Sequence, residues 1–149
     1  VVGLALCAAG DVLLLWNRTF DAGLWTFLAG HAAYIVAFQH ALPVQHWPRF
    51  VLLALIFLGL GALAWLWPHL GKRKATVAAY VTVISVMVWG AVAVVANRDL
   101  AWTVAVGAAL FYLSDLTVAR DRFVEEGILN RVIGLPLYYA AQILIALSV

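Results

Sequence analysis

The sequence is poor in cysteine and in charge of either sign. Its single cysteine, Cys7, excludes a disulfide bond within the chain and any zinc or iron–sulfur site that needs several cysteines. Charged residues make up only 11% of the 149 residues, and the net charge of +2 is too small for a nucleic-acid-binding surface. We therefore expect no nucleic-acid partner.

Apolar residues dominate instead, at 66% of the chain, against roughly 45–50% in an ordinary soluble domain. A soluble domain of this size could not bury so much apolar surface, so the expected solvent is lipid. Six apolar runs are continuous rather than alternating, which favours helices over a β-barrel. We predict an all-α, polytopic transmembrane bundle that forms a single domain over residues 1–149. Its six spans are expected at approximately 1–16, 23–40, 50–67, 75–96, 100–118 and 132–149.

Lysine and arginine are distributed unevenly among the connections between the runs. The first, third and fifth connections hold seven of these residues, whereas the second and fourth hold only Arg49 and Arg98. The positive-inside rule therefore places the odd connections in the cytoplasm. Tryptophans near the predicted span ends are typical of an interfacial belt. These are Trp16, Trp25, Trp47, Trp65, Trp67 and Trp102.

Two carboxylates lie inside predicted spans. Asp11 and Asp115 each precede the cytoplasmic end of their span by about five residues, which is roughly 7 Å at about 1.5 Å per residue. Because ionisable groups are costly in hydrocarbon, a pair at one depth indicates a shared functional site. Further polar side chains fall in the same half of the membrane and are candidate substrate-binding residues. They are His31, Tyr34, Tyr80, Ser114, Tyr138, Tyr139 and Gln142.

Helical spacing supports a common pocket. Phe27, His31 and Tyr34 share one helical face, and Tyr138 lies one turn from Gln142. Gly3, Cys7 and Asp11 form a face of small side chains that would allow close packing of the first helix. We predict a polar pocket with aromatic walls, open toward the cytoplasmic leaflet. The third run has no polar side chain in its interior and is expected to be the most lipid-facing helix.

Other interpretations of the two carboxylates remain open at this point. Asp11 would be purely structural if it paired with Arg18 or Lys74, and Asp115 if it paired with Arg120 or Arg122. A metal site built from Asp11, Asp115 and His31 is conceivable, but no tight ligand spacing supports it. We therefore expect neither a metal nor a cofactor.

Short motifs follow one another in an order that resembles a known family. They read Gly10-Asp11-Val-Leu-Leu, Phe20-x-x-Gly23-x-x-x-Phe27-x-x-x-His31-x-x-Tyr34, Tyr80 ahead of Met87, Leu110-Phe111-Tyr-Leu-Ser114-Asp115 and Pro136-x-Tyr138-Tyr139-x-x-Gln142. Over nearly the whole chain, this order is similar to that of the YhhN-like membrane proteins, the lysoplasmalogenases. Members of that family have about eight predicted helices. The sequence starts at Val1 inside an apolar run, so we expect a fragment or processed form that lacks the first two spans.

The resemblance implies hydrolysis of the vinyl ether bond of lysoplasmalogens. The products would be a fatty aldehyde and a glycerophospho-ethanolamine or glycerophospho-choline. The two conserved acidic positions of the family correspond to Asp11 and Asp115. The expected partners are the lysophospholipid substrate and membrane lipid, and the sequence indicates no oligomeric state. The expected location is the bacterial inner membrane, with the site open toward the cytoplasmic side.

The residue types suit this chemistry. Protonation of a vinyl ether carbon generates an oxocarbenium ion, and a pair of carboxylates can supply the acid, the counter-charge and the base. His31, Tyr34, Tyr138 and Gln142 are expected to orient the glycerol oxygens or the water. Arg120 and Arg122 at the rim are candidates for the lipid phosphate.

A small-solute or lipid transporter is the alternative hypothesis, since proton-coupled transporters also gather carboxylates inside a bundle. The polar residues stop midway along the spans, however, so that no continuous polar path reaches the outer side. A structural membrane protein is a third hypothesis, in which both carboxylates merely pair with basic residues.

Overall fold

A computed structural model describes residues 1–98 and 101–148 of the chain. Apart from short turns, these residues form six α-helices and no β-strand, which confirms the predicted all-α fold. The helices are α1 (Val2–Leu14), α2 (Phe20–Ala41), α3 (Arg49–Leu66), α4 (Lys74–Arg98), α5 (Thr103–Ala119) and α6 (Ile128–Ala146). Three positions of the predicted topology lie outside the described residues. They are residue 99 of the fourth connection, residue 100 at the start of the fifth span and residue 149 at the end of the sixth.

Four helical segments are long and apolar enough to cross a membrane. They are Arg49–His69, Gly71–Asn97, Thr103–Val124 and Ile128–Ala146. With 13 residues, α1 is apolar but shorter than the roughly 20 residues that a perpendicular crossing needs. At 22 residues α2 is long enough, but it is not among the four segments that are apolar enough for a crossing. The chain is thus a helical membrane bundle, and the crossing of α1 and α2 stays a prediction.

Small residues allow α1 to lie close to α2. Gly3 faces the Tyr34 ring, and Gly30 faces the Sγ atom of the buried Cys7. At Gly10, an added Cβ atom would lie only 2.6 Å from the Phe27 ring. The predicted small-residue face of α1 is therefore a real packing face, and it positions the neighbouring Asp11.

A second close pair is formed by α5 and α6. At Gly107 of α5, an added Cβ atom would lie 3.0 Å from the Ala141 carbonyl oxygen of α6. Gly134 of α6 likewise leaves no room for a Cβ atom next to Thr117. This approach fixes the relative positions of Asp115 on α5 and the polar residues of α6. The long α4 packs against α2, α3 and α5 and completes the core.

Large apolar side chains cover the outer face of α3, in agreement with the expectation that it is the most lipid-facing helix. Phe50 and Phe57 are about three-quarters exposed in the isolated chain. Trp47, which we expected in the interfacial belt, is instead only 3% exposed. Its indole N–H donates to the Leu42 carbonyl oxygen at 2.8 Å, and its ring packs on Trp89. Position near a span end therefore did not reveal that Trp47 faces the bundle.

The segment between α5 and α6 is more ordered than the sequence suggested. A π-helical turn covers Arg120–Val124, and α6 then begins at Ile128 rather than at 132. The earlier start follows from Asp121, whose carboxylate accepts hydrogen bonds from the Gly127 backbone N–H and from Asn130, at 2.9 and 3.1 Å. A carboxylate is favourable at a helix N-terminus because it pairs with free backbone N–H groups there.

Candidate functional site

A cavity of about 670 Å³ lies between α1, α2, α4, α5 and α6, and Leu66 at the end of α3 also lines it. Asp11 from α1 and Asp115 from α5 both line it, together with aromatic and aliphatic side chains. The structure thus places the two carboxylates in one cavity, as their matched depth led us to expect. Their catalytic role stays a prediction.

Asp115 is held by side chains from two other helices. The Tyr80 hydroxyl of α4 donates a hydrogen bond to Asp115 Oδ2 at 2.8 Å. His31 Nε2 of α2 lies 3.8 Å from the same oxygen, beyond hydrogen-bond distance. The other ring nitrogen of His31, Nδ1, donates to the Phe27 carbonyl oxygen at 2.7 Å. Asp115 therefore has a hydroxyl donor on one side and a fixed imidazole behind it.

Asp11 accepts the last hydrogen bond of a chain that runs through three side chains of α2 and α6. The Tyr138 hydroxyl donates to Asp11 Oδ2 at 2.8 Å, and Gln142 Nε2 donates to that hydroxyl at 2.8 Å. The Tyr34 hydroxyl donates to Gln142 Oε1 at 3.4 Å. Because each group polarises the next, such a chain strengthens the final hydrogen bond to the carboxylate.

The Phe111 side chain lies between the two polar networks. Its ring packs edge-to-face on His31 and Tyr138, with centroid separations of 4.7 and 5.3 Å. The Phe27 ring lies 6.2 Å from it in the same kind of arrangement. Edge-to-face packing is the favoured geometry of aromatic pairs. These fully packed rings fix the orientation of His31 and Tyr138 and keep the two carboxylate environments distinct.

At one end of the cavity, Arg122 is held by uncharged groups. Its guanidinium lies 4.1 Å from the centroid of the Phe20 ring and donates to Asn17 Oδ1 at 2.7 Å. Arg120 does not line the cavity and instead donates to Asn130 Oδ1 and Glu125 Oε2, each at 2.6 Å. The structure therefore separates two arginines that the sequence left equivalent.

Among the described residues, the two carboxylates have one basic neighbour, His31, whose Nε2 lies 3.8 Å from Asp115 Oδ2. Among the described residues, no lysine or arginine forms an ion pair with Asp11 or Asp115. The purely structural pairings that the sequence left open are thus not formed. Within the same residues, no three His, Cys, Asp or Glu side chains group closely enough to hold a metal ion.

The predicted site residues divide into three groups: those that line the cavity, those behind its wall and one that lies apart from it. His31, Tyr34 and Gln142 lie behind the cavity wall, where they support the carboxylates, and Arg120 lies apart. Tyr139 lines the cavity but is 56% exposed. The predicted residues that line the cavity are Asp11, Tyr80, Ser114, Asp115, Arg122, Tyr138 and Tyr139.

Tyr112 is a cavity residue that the sequence did not single out. Its side chain is buried, and its hydroxyl has no hydrogen-bond partner in the described part of the chain. The available signal was its position three residues before Asp115, which places both on one side of α5. Asn17 and Phe20, which hold Arg122, were also missed as site residues because they belong to a different connection.

Comparison with known proteins agrees with the motif order. The sequence pattern of the YhhN family matches residues 1–149. The chain is 38% identical to the lysoplasmalogenase TMEM86A of Bos taurus over 99% of its own length and 63% of the relative's. It is 34% identical to the lysoplasmalogenase of Mycobacterium bovis, over 97% of the chain and 58% of the relative. It is also 34% identical to human lysoplasmalogenase TMEM86A, over 99% of the chain and 63% of the relative.

The chain therefore spans about three-fifths of the length of these relatives. No solved structure matches it. The agreement of the family pattern along all 149 residues identifies the chain as a member of the YhhN family.

Proposed function

We propose that this chain forms the catalytic part of a membrane hydrolase that cleaves the vinyl ether bond of lysoplasmalogens. The observation that carries the proposal is the presence of Asp11 and Asp115 in one cavity, with no lysine or arginine paired with either among the described residues. The name lysoplasmalogenase, which the similar proteins bear, supplies the substrate class. The products would be a fatty aldehyde and a glycerophospho-ethanolamine or glycerophospho-choline.

The reaction needs one acid and one base. The carboxylic acid gives its proton to the β-carbon of the vinyl ether, and the resulting oxocarbenium ion is stabilised by the nearby carboxylate. Water then adds to the cationic carbon while the carboxylate takes its proton. The hemiacetal that forms collapses as its hydroxyl proton passes to the glycerol oxygen, which leaves as the alcohol. The proton gained from water replaces the one given to carbon, so the pair of carboxyl groups is restored.

The cavity offers separate surroundings for the two ends of the substrate. Its aliphatic wall includes Leu66, Val81 and Ile84, which suit the hydrocarbon chain. Arg122 lies at the cavity with no carboxylate partner among the described ion pairs, so its guanidinium is available to the lipid phosphate. Arg120, bound to Glu125, is the weaker candidate.

Aldehyde release by purified protein tests this function. The protein is given a lysoplasmalogen in detergent micelles, and the aldehyde is followed through a coupled dehydrogenase. We expect Asp11→Asn and Asp115→Asn to abolish release while protein yield and thermal stability stay close to those of the parent. Asp21→Asn is the matched control, because Asp21 lies outside the cavity and pairs with Arg73. Parental turnover in both cavity variants would overturn the proposed roles.

A saturated ether and an ester at the same position complete the test. The vinyl ether alone is activated by protonation on carbon, so the saturated ether should not react. Proton-coupled uptake into proteoliposomes, without aldehyde release, would instead establish the transporter hypothesis.

We also propose that the protein lies in the bacterial inner membrane, with the Arg122 end of the cavity on the cytoplasmic side. The excess of lysine and arginine in the odd connections supports this orientation. Cysteine labelling tests it, since the native Cys7 is fully buried. A membrane-impermeant maleimide should label Gln45→Cys in intact cells and label Arg18→Cys only after lysis. The reverse pattern would refute the orientation.

A further inference from the structure

His31 is placed behind the catalytic cavity rather than in its wall. Its side chain is fully buried, and it lies outside the set of residues that line the cavity. The rings of Tyr80 and Phe111 pack edge-to-face against its imidazole, at 5.4 and 4.7 Å. His31 therefore cannot orient the glycerol oxygens of a substrate in this cavity, and its action must pass through a neighbour.

The hydrogen-bond partner of Nδ1 determines which nitrogen of His31 carries hydrogen. A carbonyl oxygen only accepts hydrogen bonds, so the 2.7 Å contact with the Phe27 carbonyl requires a hydrogen on Nδ1. In the neutral ring, Nε2 then presents a lone pair. This buried nitrogen has no hydrogen-bond partner in the described residues.

The polar atom of Asp115 that lies near Nε2 is the carboxyl oxygen Oδ2. The distance from Nε2 to Asp115 Oδ2 is 3.8 Å. An imidazole lone pair and an ionised carboxylate repel each other at this distance, whereas one proton on either atom makes the contact attractive. The Tyr80 hydroxyl, which also touches Oδ2, already donates its hydrogen to that oxygen. A proton held at this contact therefore belongs to His31 or Asp115 and not to Tyr80.

Asp11 has no comparable partner. It accepts from the Tyr138 hydroxyl, to which Gln142 donates in turn, so its described contacts favour a carboxylate that remains an acceptor. The Tyr80 hydroxyl contacts Asp115, and further titratable groups line the same cavity. They are Asp11, Tyr112, Asp121, Arg122, Glu126, Arg131, Tyr138 and Tyr139.

We propose that His31 is a positioning residue that holds a proton with Asp115, and that this makes Asp115 the acid and Asp11 the base. The inference rests on the proposed function, since it assigns roles within that reaction. His31 makes no bond to the substrate. Asp115 transfers the shared proton to the β-carbon of the vinyl ether, and Asp11 takes a proton from the attacking water. That proton then returns from Asp11 to Asp115 before the next turnover.

The kinetic test separates this role from substrate binding. His31→Asn retains a donor for the Phe27 carbonyl but has no group at the position of Nε2. We expect its kcat to fall at least about tenfold with KM nearly unchanged, because acid–base catalysis contributes about 10²–10⁴-fold. His31→Gln, whose amide extends further toward Asp115, should recover part of kcat. His40→Asn, an exposed position on the same helix, is the matched control. An increase in KM with unchanged kcat would overturn the proposal.

A spectroscopic test does not depend on activity. ¹⁵N-histidine NMR of the protein in nanodiscs, assigned with His31→Asn, should show His31 with hydrogen on Nδ1. Asp115→Asn should shift the Nε2 resonance, whereas Asp11→Asn should leave it nearly unchanged. An Nε2 resonance that does not respond to Asp115→Asn overturns the proposal even if the parent releases aldehyde. A parent that releases no aldehyde refutes the proposed function, and the NMR result still decides whether His31 and Asp115 form a pair.

Discussion

The hydrogen bond from Tyr138 to Asp11 offers a sharp test of how the site is built. Tyr138→Phe removes the hydroxyl that donates to Asp11 Oδ2 at 2.8 Å and leaves the ring in place. The ring packs on Phe111 and Phe27 at 5.3 and 5.9 Å, and these contacts do not need the hydroxyl. The substitution should therefore affect activity much more than the free energy of unfolding.

The expected size follows from the type of bond. A hydrogen bond to a charged group is worth about 1.5–3 kcal/mol, and about 1.4 kcal/mol corresponds to a factor of ten in rate. Tyr138→Phe should thus lower kcat about 10- to 100-fold. Gln142 also loses the acceptor for its amide, but it is only partly buried, so water can replace that acceptor at small cost.

The assay is aldehyde release at saturating lysoplasmalogen, with thermal unfolding measured on the same preparation. Tyr139→Phe is the comparison, because this ring lies next to Tyr138 and is 56% exposed. It should lose less activity than Tyr138→Phe. A Tyr138→Phe variant with the kcat of the parent would show that the hydroxyl chain does not support Asp11 in the reaction.

Three further predictions concern packing, substrate binding and pH. Gly10→Val should reduce thermal stability and protein yield, because a Cβ atom at this position would lie 2.6 Å from the Phe27 ring. Overpacking of this kind costs about 1–3 kcal/mol. Unchanged stability would contradict the close contact of α1 and α2. Arg122→Gln should raise KM about tenfold or more, because it removes a charge-assisted contact with the lipid phosphate. Arg18→Gln, at an exposed position, is the control and should leave KM unchanged. Equal KM values in the parent and both variants would refute the phosphate role of Arg122. Arg73 donates to Asp21, at the start of α2 before the apolar run, and lowers the pKa of that carboxyl. The pair therefore stabilises the fold above the ordinary pKa of aspartate and loses this effect as the pH falls through the lowered value. Because both side chains are exposed, Asp21→Asn should cost less than about 1 kcal/mol in denaturant unfolding at neutral pH, and a larger cost would contradict this assignment.

Positions along the helices could be predicted from the sequence because hydropathy changes sharply at the span ends. The depth of Asp11 and Asp115 followed from counting residues to those ends, and both indeed line one cavity. Helical spacing also correctly grouped Tyr138 with Gln142, which are hydrogen-bonded. These features depend on one helix at a time.

Rotation around each helix axis could not be predicted in the same way. His31 was expected to orient the substrate, and the structure places it between the rings of Tyr80 and Phe111, outside the set of residues that line the cavity. Trp47 was expected at the membrane interface, yet the space left by Gly90 accepts its ring. Arg120 and Arg122 differ only because Glu125 and Asn17, from different connections, lie within reach. Each of these outcomes depends on which helix lies next to which, and hydropathy carries little information about that.

In the proposed reaction, an acid in this cavity protonates the β-carbon of a vinyl ether. Turnover in D₂O, with the aldehyde reduced to the alcohol as it forms, measures that step. We expect one solvent deuterium on the carbon next to the former aldehyde carbon, and no product from Asp115→Asn. Product without that deuterium, or the same labelled product at the parental rate from Asp115→Asn, would contradict it.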